Sequence, residues 1–191
     1  MSDSLYQQTL LQQPLLAVAD GLYQSSERLA QQLDFAAQAV MHTITAGGKV
    51  LCAGEAEARW LAEQAARLLV HGSGRERPPL AALALDAVST GSGGLSQQVR
   101  ALGQPGDLWL AFSLEREDEE LVAATGIARE QDLTLVAFTG EAAGTLGPLL
   151  RDTDVWVPLP GTQPEALFAI GWLAVHALCN AVDNHLLGDT V

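Results

Sequence analysis

Residues 49–69 read KVLCAGEAEARWLAEQAARLL, and their order decides the fold. Val50-Leu51-Cys52-Ala53 is a short apolar run, Gly54 interrupts it, and a long helical stretch from about Glu55 to Leu69 follows. A brief apolar run joined to a helix is the unit of a parallel α/β sheet, whose strands are buried on both faces and need no polar alternation. The same signal returns at Leu80–Leu85, Leu108–Phe112, Leu133–Phe138 and Val155–Val157, and most of these runs precede a stretch able to form a helix. That alternation predicts an α/β fold.

Upstream, Leu22, Leu29, Leu33, Ala36, Val40 and Ile44 recur at helical spacing until Ala46-Gly47-Gly48 stops them. Leu5 to Ala19 forms a second helical segment, in which Pro14 predicts a kink or a restriction to short turns. Downstream, Thr162 is placed to cap the last helix, Pro164 suits its first turn, and Glu165 puts negative charge where the helix dipole favours it. This helix runs to about Leu187, before Gly188, and its length of ~35 Å lets it project beyond a small core and pack on a neighbour. No repeat or linker divides the chain. One domain over 1–191 is expected, with residues 1–46 a helical segment packing on the core and on neighbouring subunits.

The chain has 191 residues, of which 48% are hydrophobic and 17% charged. With a mean hydropathy of +0.15, general disorder is excluded. Ten Lys and Arg against 23 Asp and Glu give a net charge of −13. Such a charge opposes a broad grip on nucleic acid or anionic membrane, both of which need clustered cations. Any link to DNA is therefore expected to run through another protein.

Cys52 and Cys179 are too few for a disulfide framework and lie in apolar segments, which points to free thiols in a reducing cytoplasm. The opening residues MSDSLYQQTLLQQPLLAVAD lack a basic leader. The apolar run Ala166–Val175 is shorter than the ~20 residues that span a bilayer, so no membrane association is expected.

Ligands of parallel sheets collect at the carboxyl ends of the strands. After the first strand, Gly54-Glu55-Ala56-Glu57-Ala58 offers one glycine and no hydroxyl; its carboxylates favour a plain helix start with capping side chains over a phosphate site. After the third, Ser113 is a candidate donor, followed by Glu115, Glu117, Asp118, Glu119 and Glu120. These acids suit a helix's first turn and would repel phosphate, and they lack the glycine-punctuated spacing of a calcium loop. Between Asp86 and Leu95, Ser89 and Thr90 stand in a Ser/Thr/Gly-rich stretch that fits either an anion-binding loop or a flexible turn.

His42, His71, His176 and His185 form no metal-ligand motif, and no metal or cofactor is expected. His176 reads as a satisfied core or interface residue, with an active-site role as the alternative. Trp60, Trp109, Trp156 and Trp172 are scattered, which suits packing better than base stacking. The compact basic feature Arg75-Glu-Arg77-Pro-Pro reads as a salt bridge or turn anchor.

Taken in order, GGKVLCAGEAEARWLAEQAARLL, ERPPLAALALD, QQVRALGQPGDLWLAFS, LTLVAFTG and ALCNAVDNHLL resemble the sugar isomerase (SIS) domain in its phosphoheptose isomerase branch. The resemblance extends from about Leu22 and is closest to relatives that associate with the replication initiator DnaA. It implies a three-layer αβα sandwich with a five-stranded parallel sheet, assembled as a homotetramer with shared sites. Carried over position by position, the family's first phosphate loop keeps Gly54, while Glu55, Ala56, Glu57 and Ala58 replace its remaining residues. Its second loop keeps Ser113, and Leu114 through Asp118 replace the rest. A histidine becomes Gln64, the catalytic glutamate Leu68, and a glutamine of the last helix Phe168; His176 keeps the catalytic histidine position.

These losses lead to the expectation of a non-catalytic, DnaA-binding adaptor that promotes initiator assembly at the origin, with Leu186 and Leu187 as the partner contact. The alternative is a phosphosugar isomerase acting on sedoheptulose 7-phosphate, or a module binding a sugar derivative through Gly54, Ser113, Ser89 and Thr90.

Overall fold

In the computed structural model, which describes residues 2–74, 76–86, 94–114 and 118–188, all five apolar runs become strands. They are β1 (Val50–Gly54), β2 (Ala82–Ala84), β3 (Leu108–Ser113), β4 (Thr134–Thr139) and β5 (Val155–Pro158). All neighbours pair in parallel, in the order β2-β1-β3-β4-β5. The helices are α1 (Ser2–Thr45), α2 (Arg59–His71), α3 (Gly94–Leu102), α4 (Glu119–Glu130) and α5 (Pro164–Leu187).

Strand side chains alternate between faces, and both faces are covered. Val50, Cys52, Leu110, Phe112 and Phe138 point into the core shared with α1, α2 and α5. Leu51, Ala53, Trp109, Ala111 and Leu135 point into the core that contains the buried side of α3 and α4. The result is the expected three-layer αβα sandwich with a helical amino-terminal extension. Phe112 and Phe138 touch across the sheet with ring centroids 4.9 Å apart, and Trp109 is buried with its indole N–H donated to Thr125 Oγ at 2.9 Å.

Three local expectations need correction. Pro14 does not restrict its segment to short turns or separate it from the next helix: it lies inside α1, which is continuous over 44 residues. The turns around Pro14 are exposed, so a carbonyl deprived of its helical partner can be solvated. Thr162 is not the cap of α5. Pro164 occupies the first helical position, which makes Gln163 the cap, and its side chain forms no capping bond. The helix after β1 starts at Arg59, following a 3-10 turn at Ala56–Ala58, and Glu55 makes no side-chain capping bond to it. In contrast, Asp118 caps α4 as an acidic helix start should, accepting from the N–H groups of Glu120 at 2.8 Å and Leu121 at 3.1 Å.

By length and composition alone α5 could cross a bilayer. In this fold it packs on α1 and α2 and carries the buried Asp183. That carboxylate pairs with Arg77 and accepts the Ser73 N–H at 2.9 Å. Arg77 also donates to the carbonyls of Leu69 at 2.8 Å and Leu68 at 3.1 Å, satisfying the open end of α2. The Arg77 and Asp183 side chains are 1% and 3% exposed, so removing one strands the other away from water. Arg77→Met is expected to lower unfolding free energy by about 3–5 kcal/mol, read from urea denaturation followed by circular dichroism.

Cys52 and Cys179 are free and buried on the α5 side of the sheet. Burial pushes the Cys179 thiol up to about 12, and desolvation raises Cys52 as well. Since the thiolate is the nucleophile, neither should react with iodoacetamide at about pH 8 in the folded chain. Mass spectrometry should show both alkylated once guanidinium unfolds the protein.

Candidate functional site

The sheet order reverses direction between β1 and β3: from β1 the chain goes first to β2 on one side, then to β3 on the other. At such a switch point the following loops part and leave a crevice at the strands' carboxyl ends. Gly54 closes β1 opposite Phe112. A Cβ there would lie 2.4 Å from the Ala58 carbonyl oxygen and 2.7 Å from the Arg59 nitrogen, so only glycine fits beneath the turn. Ala56, two residues on, is held at φ 38°, a left-handed conformation that costs an L-residue free energy.

This tight turn places Glu55 at the carboxyl ends of β1 and β3. Its N–H donates to the Phe112 carbonyl at 3.2 Å, which fixes the residue against β3. Its carboxylate accepts the Ser113 hydroxyl at 3.0 Å. Glu55 is only 4% exposed, an unusual burial for a carboxylate and one that demands hydrogen-bonding partners. The structure thus brings together Gly54 and Ser113, two anticipated ligand positions, and sets an acid between them. Ser89 and Thr90 lie outside the described residues.

Beyond Ser113 a cleft of about 350 Å³ opens over the ends of β3, β4 and β5, with Thr139, Gly140, Thr145, Gly161 and Thr162 in its wall. The Thr139 hydroxyl is engaged, donating to the Gly140 carbonyl at 2.8 Å and accepting from Trp156 Nε1 at 2.9 Å. A larger cleft of about 490 Å³ lies between α1 and β5, near Arg28, Phe35 and Trp156. The smaller cleft is the better candidate because it adjoins the strand-end crevice through Ser113.

A second cluster forms where α5 crosses α2. A Cβ at Gly171 would meet Leu61 Cδ1 at 2.7 Å, so glycine permits the close approach. One turn and a half later, the half-buried His176 brings Nε2 within 3.0 Å of Gln64 Nε2. Gln64 Oε1 accepts from Arg67 Nε at 3.0 Å. The Trp172 ring lies against His176 at 5.5 Å between centroids. Leu68, where the resemblance puts a glutamate, is core at 4% exposure.

Sequence reasoning treated Glu55 as a helix cap and Gln64 as a simple loss. The missed signal for Glu55 was topological: once β1 and β3 are neighbours at the switch point, a carboxylate after one and a hydroxyl after the other must face each other. The proposed partner contact divides, with Leu186 packed partly against the core and Leu187 41% exposed. Among the described residues no three His, Cys, Asp or Glu side chains converge to hold a metal.

The SIS domain family matches residues 16–140. A phosphoheptose isomerase of Methylibium petroleiphilum is 39% identical over 181 residues, covering 90% of each chain. A DnaA initiator-associating protein, DiaA, of Photorhabdus laumondii is 33% identical over 172 residues, covering 85% of this chain and 87% of the relative. The solved phosphoheptose isomerase of Francisella tularensis superposes with a TM-score of 0.86 at 24% identity, over 93% of this chain and 98% of that one.

The expectation of a non-catalytic chain is therefore corrected. The 39% identity to a phosphoheptose isomerase over nearly the whole length sets this chain beside the enzymes. The motif losses behind that expectation are each local to one loop, whereas the fold brings the Glu55 carboxylate from one loop against the Ser113 hydroxyl from another. The chain belongs to the SIS domain family, in the group that contains the phosphoheptose isomerases and the DiaA proteins.

Proposed function

We propose that this chain is an aldose–ketose isomerase of the phosphoheptose isomerase type, acting on a sugar phosphate at the crevice between β1 and β3. The observation that carries this reading is the buried Glu55 carboxylate held by Ser113 at the sheet's switch point. Isomerisation moves a proton between adjacent carbons while the carbonyl oxygen is polarised, and a positioned carboxylate and a positioned donor supply these two functions. A carboxylate repels phosphate, so the carbonyl end of the sugar faces Glu55 and the phosphate lies in the neighbouring cleft, near Thr145 and Thr162. Glu141 also lines that cleft; it is exposed, and its Oε1 accepts the Gly161 N–H at 3.5 Å. His176 joins the site from the α2–α5 face across a subunit boundary of the proposed homotetramer.

The full chain should convert sedoheptulose 7-phosphate, and Glu55→Gln should lower kcat by about 100-fold or more with its fold intact. Absence of conversion by the unaltered protein in excess over substrate rejects the isomerase reading. Full activity of Glu55→Gln removes that carboxylate from the machinery.

Exposure of Leu187 at the end of α5 favours a second, compatible role: display of DnaA on the tetramer. An exposed leucine at an element's free end is a ready small apolar contact, and several copies on one scaffold raise the local concentration of what they hold. Leu187→Ala should weaken capture of the cognate DnaA in a pull-down while light scattering still reports a tetramer; undiminished capture removes Leu187 from the contact.

A further inference from the structure

We propose that Arg67 and Gln64 are positioning residues that hold His176 as the neutral imidazole protonated on Nδ1, so that it serves the site as a hydrogen-bond donor. A guanidinium only donates, and it stays protonated throughout the accessible pH range. Its Nε therefore fixes which end of the Gln64 amide faces Arg67: the 3.0 Å contact requires Oε1. The amide nitrogen is then the atom that faces His176 Nε2 at 3.0 Å. An amide NH2 is a donor and accepts nothing, so His176 Nε2 must be the acceptor and carry no proton. A neutral ring with a bare Nε2 has its proton on Nδ1.

The surroundings keep this arrangement in place. Gln64 is 7% exposed on the buried side of α2, where an unsatisfied amide would be costly, so it does not turn away into water. Trp172, on the same helix as His176, lies against the ring at 5.5 Å and limits its rotation. A doubly protonated His176 would bring an Nε2–H against the amide hydrogens of Gln64. Turning the amide to accept that proton would in turn face its NH2 toward Arg67. One exposed arginine thus sets the state of a histidine it does not touch.

The consequence for the proposed isomerase, which rests on that reading, is a division of labour. His176 offers Nδ1–H to polarise a substrate oxygen, and Glu55 takes the carbon-bound proton. The tautomer itself does not depend on turnover. It is read from long-range proton–nitrogen correlation spectra of the uniformly 15N-labelled full chain at about pH 8, above the usual histidine range, with His176→Asn assigning the signal.

The unaltered protein should show a protonated Nδ1 and a bare Nε2. Gln64→Glu presents only acceptor oxygens, so the His176 proton should move to Nε2 or the ring become imidazolium. Arg67→Met should release the amide and give a mixture of tautomers, whereas a merely structural Arg67 would leave the spectrum unchanged. An Nε2–H or doubly protonated ring in the unaltered protein overturns the proposal, as does a tautomer indifferent to both substitutions. If the spectra behave as expected but no sugar is converted, the relay stands and the isomerase reading falls.

Discussion

The pair formed by Arg77 and Asp183 is the constraint on which the helical face of the molecule depends. Asp183 sits near the end of a 24-residue apolar helix, and Arg77 lies in the link between α2 and β2, where it also binds the last carbonyls of α2. With both side chains withdrawn from water, the helices cannot slide past each other without exposing an uncompensated charge to the core. An apolar stripe alone tolerates small shifts in register because dispersion contacts are interchangeable, whereas a buried ion pair has one satisfactory geometry. Two turns earlier on α5, the same registration puts His176 opposite Gln64.

The β1–β3 crevice follows a different constraint, set by backbone. Gly54 admits the turn against Ala58 and Arg59, Ala56 accepts a left-handed conformation, and the Glu55 N–H is tied to Phe112. These features fix where the Glu55 carboxylate lies before any ligand arrives. A carboxylate held in place is useful for proton transfer because less reorientation is needed at the moment of reaction.

The fold was legible because its strands are buried on both faces. Val50–Ala53, Leu108–Phe112 and Leu133–Phe138 are apolar without interruption for that reason, and local sequence records it directly. Asp118 was equally readable, since a cap acts on N–H groups two and three residues away. The site was less readable because its partners are distant in the chain: Glu55 meets Ser113 across 58 positions and Gln64 meets His176 across 112. Pro14 and Thr162 show the converse, local rules decided by context. Solvent around the first relieves the lost bond, and the proline after Gln163 shifts the second cap by one residue.

Charge places the final limit on the proposed use of a sugar phosphate as substrate. A net charge of −13 and a buried carboxylate at the crevice give an anionic ligand no long-range attraction. Capture must then come from close hydrogen bonds that act after the ligand has shed part of its water, and these are directional. A phosphate directed away from Glu55 leaves the carbonyl end of the sugar beside the acid, so the same repulsion that weakens binding also orients what binds. The substitution of a carboxylate for phosphate donors is thus physically compatible with isomerase chemistry, provided the ligand lies with its charged end over β4 and β5.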